Sequence, residues 1–118
     1  MIIDFHTHIF PDKIAIATVE KLKSYLCDAG EECAAYTDGT LASLRESMKK
    51  AGVDKSVILP VVTNPKQFDS INRFSAEINK ESDIIAFGGI HPDNESPEEK
   101  LDFIKSLGLK GIKLHPDY

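Results

Sequence analysis

The chain has 118 residues, of which 42% are hydrophobic and 28% charged, and its formal net charge is −5. This composition is typical of a globular domain, and the negative balance argues against a nucleic-acid partner, which needs clustered Lys and Arg. No run approaches the ~18 apolar residues of a membrane span and no basic segment precedes the first apolar residues, so we expect a cytoplasmic protein without a membrane partner.

The two cysteines, Cys27 and Cys33, stand six residues apart in an acidic segment. Their spacing matches neither a zinc knuckle nor a CxxC redox pair. Because a disulfide is unusual in the cytoplasm, we expect two free thiols.

The first apolar stretch, Met1–Phe10, alternates as a strand with two different faces should. One parity carries Ile3 and Phe5, and the other carries Asp4, His6 and His8. We therefore expect Ile3 and Phe5 to face covering helices and the histidines to face the opposite side.

The segment after Pro11 predicts two helices rather than one. A helical stripe covers Asp12–Leu26, a mixed patch follows over Cys27–Gly39, and a second stripe covers Leu41–Ala51. Gly52 is a favourable residue at the end of that second helix. An insertion with an extra helix, about residues 12–39, is thus expected after the first strand.

Strands and helices then alternate to the end of the sequence. Strands are predicted at Ser56–Val62, Asp83–Asp93 and Gly111–Pro116. A third helix has apolar positions from Phe68 to Ile78, with Pro65 near its start. The fourth helix should begin at Ser96, with Pro97 in its first turn and Glu99 closing a capping box, and should end at Gly108.

This alternation is the pattern of an α/β protein with a parallel sheet covered by helices. It allows either a doubly wound sheet or a (β/α)8 barrel. In both, ligands bind at the carboxyl ends of the strands.

All four histidines fall at predicted strand ends: His6 and His8 after the first strand, His91 after the third and His115 after the fourth. Residues two apart on a strand have Cα atoms ~6.5–7 Å apart and point the same way, so their imidazoles can share one ion at ~2.0–2.1 Å. This favours His6 and His8 as metal ligands over two ordinary polar residues.

The fourth strand adds a lysine to the same edge. Ile112 and Leu114 take the helix-facing parity and leave Lys113 and His115 on the other. A buried lysine is costly without a partner, so Lys113 should meet a carboxylate, a metal-bound group or an anionic substrate.

Three segments make the chain resemble the amidohydrolase superfamily: IDFHTHIFP (3–11), GGIHPD (88–93) and GIKLHPDY (111–118). Within that superfamily the resemblance is to the N-terminal half of the amidohydrolase-related (amidohydrolase 2) family, which includes aminocarboxymuconate-semialdehyde decarboxylase. It implies a (β/α)8 barrel of the TIM type, with about four βα units, or half a barrel, in this chain.

The resemblance also implies one or two divalent metal ions, usually Zn2+, with His6 and His8 matching the first-strand ligands. The family's general-base aspartate follows the last strand, so the catalytic residue is expected beyond the end of this chain. Lys113 is either a metal-bridging residue, as its carbamylated counterpart is in some members, or a substrate-binding one. His91 and His115 are candidates for substrate binding.

A barrel typically needs ~250 residues, and an apolar strand left at an open sheet edge is an aggregation hazard. We therefore expect residues 1–118 to be the N-terminal part of a single longer barrel. A homodimer of half-barrels is the alternative.

The expected activity is metal-dependent hydrolysis of an amide, ester or lactone bond in a small molecule. Non-oxidative decarboxylation of a small carboxylic acid is the alternative within the same family. From another class, the chain could be a non-catalytic metal-binding or scaffold domain.

Overall fold

The computed structural model describes residues 1–28 and 34–115. The chain divides into two compact units, one formed by Met1–His8 with the chain from Val53 onward and the other by Ile9–Gly52. In chain order the elements are β1 (Ile3–Thr7), α1 (Asp12–Asp28), α2 (Leu41–Ala51), β2 (Lys55–Ile58), a 3-10 turn (Pro65–Gln67), α3 (Phe68–Ile78), β3 (Ile84–Ala86), β4 (Gly88–Ile90), α4 (Pro97–Ser106) and β5 (Ile112–Leu114).

The unit Ile9–Gly52 contains α1 and α2, the two helices predicted between the first strands. At the start of α2 the Thr40 hydroxyl accepts a hydrogen bond from the Ser43 amide at 3.2 Å, which satisfies a backbone donor that has no partner within the helix. Gly52 ends α2 at φ 70°, where its amide donates to the Met48 carbonyl. The predicted helix end at Gly52 is confirmed.

The other unit contains two parallel sheets, one in the order β1-β2-β3 and one formed by β4 and β5. β2 supplies Val57 and Ile58, and β3 supplies Ile84 and Ala86; all four are at most 3% exposed. α3 contacts both β3 and β4. The buried core of this unit therefore lies along β2 and β3.

The α/β class is correct, but the expected half of a (β/α)8 barrel is wrong. Its third strand, Asp83–Asp93, is interrupted at Phe87, so that β3 pairs with β2 whereas β4 pairs with β5. Gly88 and Gly89 lie just after the break, and a Cβ atom at Gly88 would come within 2.5 Å of Ile104. The described residues consequently form two small sheets with four helices rather than one continuous barrel wall.

The simple alternation expected for β1 is also wrong. Asp4 pairs with Ser56 and Thr7 with Ile58, so β1 uses one more residue than β2 over this span. Such a bulge breaks the two-residue period: Asp4 stands before it, His6 lies within it and His8 follows it. Phe5, which was expected to face a helix, instead packs edge-to-face against Phe87 at a centroid distance of 5.9 Å.

Helix-start chemistry differs from the prediction at Ser96. This residue has φ 49° and its side chain makes no capping bond to α4, so the predicted capping box with Glu99 does not form. A capping box is found instead at Asn64 and Gln67, where Asn64 accepts from the Lys66 amide and Gln67 accepts from the Asn64 amide. The predicted role of Pro65 in a first turn is confirmed, although the turn is 3-10.

The expectations for the cysteines, for the last strand and for membrane spans can be compared with the structure only within the described residues. Cys27 is a free, exposed thiol, whereas Cys33 and the end of the fourth predicted strand, at Pro116, lie outside the described residues. Within residues 1–28 and 34–115, no helix has both the length and the apolar character needed to cross a bilayer.

A buried asparagine joins α3 to β4. Asn72 is fully buried; its amide nitrogen donates to the Gly89 and Phe68 carbonyls at 2.8 and 2.7 Å, and its oxygen accepts from the Gly89 amide at 2.9 Å. Because β4 pairs only with β5 among the described strands, this side chain replaces ladder hydrogen bonds that a strand on the other side would otherwise supply.

We predict that Asn72→Ala lowers the free energy of unfolding by about 2–4 kcal/mol, since it leaves the buried Gly89 amide and carbonyl unpaired. Ser75→Ala is the matched control, because the Ser75 hydroxyl is also buried on α3 but has no hydrogen-bond partner in the described part of the chain. Its expected change is below ~1 kcal/mol. Urea unfolding followed by circular dichroism measures both, and equal losses would contradict the role of Asn72.

Candidate metal centre

The two histidines of the first motif lie together at the carboxyl end of β1. His6 is in the strand, and His8 directly follows its last residue, Thr7. Their ring centroids are 4.9 Å apart and the rings are nearly perpendicular, at 81°. The two rings are therefore neighbours, and their convergence on one ion stays a prediction.

Hydrogen bonds join the end of β1 to β2 and to Leu59, the residue that follows β2. The Thr7 hydroxyl donates to the Val57 carbonyl at 2.8 Å, and the Leu59 amide donates to the Thr7 carbonyl at 2.9 Å. His8 Nδ1 lies 2.6 Å from the Leu59 carbonyl oxygen. The position of His8 thus depends on a segment about 50 residues away in sequence.

The Leu59 contact decides which ring nitrogen of His8 carries the proton. A carbonyl oxygen only accepts, so Nδ1 must donate and the neutral ring keeps its lone pair on Nε2. Histidine ligands of metals usually donate their second nitrogen to a carbonyl or carboxylate in this manner. His8 therefore has the tautomer that a metal ligand bound through Nε2 requires.

His8 is exposed by its accessible surface, yet the protein around its ring removes enough water to lower its pKa from the usual value of 6.5, and the positive charges of His6, Lys113 and His115 lower it further. The hydrogen bond to Leu59 acts in the opposite direction, since it stabilises the protonated ring. A metal ion binds only the neutral imidazole, so a lowered pKa favours binding at neutral pH.

Two further predicted residues lie near His8. Lys113 is in β5, and His115 is the residue directly after β5. Both are half-buried, and the charge of each acts on His8. Among residues 1–28 and 34–115, no carboxylate forms an ion pair with Lys113.

His91 is held by hydrogen bonds within the turn that follows β4. It is 6% exposed, its Nδ1 accepts from the Asp93 amide at 3.1 Å, and its own amide donates to the Asn94 side chain at 2.9 Å. These bonds close the turn after β4. Among the described residues, no hydrogen bond or ring contact joins His91 to His6 or His8.

The fit to a metal ion is partial. Two adjacent imidazoles supply two of the four ligands of a tetrahedral zinc site. Within the described residues, no group of three His, Cys, Asp or Glu side chains is arranged to hold an ion. His6 and His8 therefore fit as two ligands, and no catalytic aspartate is assigned to residues 1–28 or 34–115.

The sequence reasoning missed Thr7 and Leu59, which fix the position of His8. Thr7 stands between the two histidines and is 8% exposed, whereas both histidines are exposed. One signal was available, since a polar residue of opposite parity to the histidines must find a partner inside the protein. The Leu59 carbonyl carries no signal in the sequence, because every residue has one.

Comparisons of the chain with protein-family models, with curated proteins and with solved structures give no significant match. The resemblance to amidohydrolases therefore rests on the three sequence segments alone.

We predict that the free energy of unfolding decreases as the pH falls below about 6.5, because the unfolded chain protonates His8 more readily than the folded chain does. This contribution is complete above pH 6.5 and is lost towards the lowered pKa. In His8→Gln the dependence should become shallower, while His6→Gln should retain most of it. Urea unfolding between about pH 5 and 8 measures the slopes, and an unchanged slope in His8→Gln would rule out this contribution.

Proposed function

We propose that the chain carries part of the metal site of a cytoplasmic, metal-dependent hydrolase of the amidohydrolase type, acting on an amide, ester or lactone bond of a small molecule. The observation that supports this most is the hydrogen bond from His8 Nδ1 to the Leu59 carbonyl, which leaves Nε2 for a ligand, beside the ring of His6. The resemblance of residues 3–11 to the first amidohydrolase motif agrees with it.

Zinc is the ion that we propose, because imidazole is among its preferred ligands and the pair leaves positions for further ligands. Bound zinc lowers the pKa of water towards ~7 and polarises a substrate carbonyl. His6 and His8 would hold the ion, and the Leu59 carbonyl would orient His8. The remaining ligands and the general base are not assigned to described residues.

Lys113 and His115 are the proposed substrate-binding residues. Both carry or can carry positive charge close to His8, and Lys113 has no carboxylate partner in the described ranges. An ammonium group would donate to a substrate carboxylate or to the carbonyl oxygen of the bond being cleaved. Metal bridging by a carbamylated Lys113 is the alternative role, for which this lysine would first have to lose its charge.

Decarboxylation of a small carboxylic acid is the second candidate. The cluster of basic groups around His8 favours it, because a carboxylate substrate would compensate their charge. A non-catalytic metal-binding domain is the candidate from another class. The hydrolase would release an acid together with an amine or an alcohol, whereas the decarboxylase would release carbon dioxide. The non-catalytic domain would bind metal without turnover.

We predict that the purified chain binds Zn2+ or Co2+, and that His6→Ala, His8→Ala and the double variant lose this binding, because each removes one of the two imidazole ligands. Metal analysis after dialysis gives the stoichiometry, and the visible spectrum of the cobalt form reports imidazole ligation. His91→Gln is the control, since His91 lies in its own turn network and should leave binding within about threefold of wild type, a change below ~1 kcal/mol.

Metal binding that is absent, or present but indifferent to His6 and His8, would overturn the hydrolase and decarboxylase proposals together. A loss in His91→Gln equal to that in His8→Ala would instead make His91 a ligand. Assays of ester, lactone and amide hydrolysis and of carbon dioxide release then distinguish the two enzymes.

We predict that Lys113→Gln weakens the binding of acetate or inorganic phosphate to the metal-free chain by about tenfold or more, since a charge-assisted hydrogen bond contributes ~1.5–3 kcal/mol. Titration followed through the imidazole resonances of His8 and His115 measures the affinity. Lys110→Gln is the matched control, because Lys110 is exposed and lies just before β5. Equal effects of both substitutions would indicate nonspecific attraction rather than a site.

A further inference from the structure

We propose that Thr7, together with the Leu59–Pro60 segment, positions His8 and fixes its tautomer. The inference rests on the proposed function only where it concerns metal affinity. The positioning itself is a property of the chain without metal. Thr7 touches neither metal nor substrate in this proposal and acts only through His8.

The bulge in β1 makes such a residue necessary. Between Asp4 and Thr7, β1 contains one residue more than the matching stretch of β2, so the strand ladder is irregular immediately before His8. Beyond this irregularity, Thr7 pairs with Ile58, the last residue of β2. Because a slip of one residue would turn every following side chain to the other face, whatever fixes Thr7 also fixes the side on which His8 lies.

Thr7 has the contacts for this task. Its hydroxyl donates to the Val57 carbonyl and its own carbonyl accepts from the Leu59 amide, at 2.8 and 2.9 Å. Two bonds from one residue therefore hold the backbone of β1 against β2. The residue is 8% exposed, so its hydroxyl has little access to water as an alternative partner.

The Leu59 carbonyl, which accepts the hydrogen bond from His8, is itself restrained by the residues that follow it. Leu59 precedes Pro60, and a residue before proline is restricted to extended conformations, which limits the directions its carbonyl can take. Pro60 is buried beside Gly89, where an added Cβ would lie 3.1 Å from its ring. Gly89 in turn is bound through both backbone groups by Asn72.

These contacts predict a specific consequence for His8. With the Leu59 carbonyl held in place, the neutral ring carries its proton on Nδ1 and presents Nε2 to a ligand. If the end of β1 moves away from Leu59, this bond weakens and the ring divides between its two tautomers. Substitution of residues that orient a metal-binding histidine typically lowers metal affinity ~10–100-fold.

The test compares Thr7→Val, which keeps the shape and removes the hydroxyl, with Thr7→Ser, which keeps the hydroxyl. At about pH 8, above the ordinary histidine pKa, nitrogen NMR shifts of the His8 ring report its tautomer in the metal-free chain. We expect wild type and Thr7→Ser to hold the proton on Nδ1 and Thr7→Val to shift towards a mixture. Cobalt affinity should fall ~10-fold or more in Thr7→Val and recover in Thr7→Ser.

Ser56→Ala is the control for the loss of a buried β2 hydroxyl, since Ser56 has no hydrogen-bond partner within the described residues. It should leave the His8 tautomer unchanged. A folded Thr7→Val with the wild-type tautomer, or a wild-type His8 protonated on Nε2, would overturn the inference.

If Thr7→Val does not fold, Pro60→Ala tests the same device from the acceptor side, because it releases the restriction on Leu59. A mixture of tautomers is then the expected result, and the wild-type tautomer would overturn the inference. If Thr7→Val changes the tautomer but no form of the chain binds metal, the proposed function fails while the positioning role stands.

Discussion

The parallel pairing of β1 with β2 is the constraint on which the candidate site depends. It brings Thr7 beside Val57 and His8 beside Leu59, residues separated by 50 and 51 positions in sequence. A hydrogen bond from His8 to a backbone carbonyl selects one tautomer without requiring any particular side chain at position 59. The chemistry of the site is therefore fixed by the backbone of one strand end acting on the side chain of another.

That pairing is supported by a second contact deeper in the same unit. Asn72 binds both backbone groups of Gly89, and Gly89 leaves room for Pro60 and Val62 beside it. A side chain at position 89 would meet Val62 at 2.5 Å. β4 can therefore lie close to the segment after β2 for two reasons: position 89 has no side chain, and the buried amide of Asn72 satisfies the Gly89 backbone.

The sequence was sufficient for the helices and for the nearness of His6 and His8, but not for the irregular strands or for the contacts that join distant segments. Helix stripes and Gly52 predicted the helices correctly, and the spacing of His6 and His8 predicted two neighbouring imidazoles. The bulge in β1 could not be predicted from the sequence, because an alternating pattern assumes a regular strand. The break at Phe87 could not be predicted either, because Gly88 and Gly89 lie inside an apolar run. Contacts such as His8 with Leu59 join distant segments and leave no local pattern.

Charge balance at His8 bears on which occupant suits the site. The charges of Lys113 and His115 disfavour a proton on His8, and by the same repulsion they disfavour a bare cation held by the two imidazoles alone. A divalent ion accompanied by an anion would meet that repulsion with opposite charge. A structural zinc site, by contrast, is normally closed by four protein ligands and leaves no position for an anion. In the proposed site, the basic groups around the pair would therefore suit an anionic small molecule bound together with the ion better than a purely structural ion.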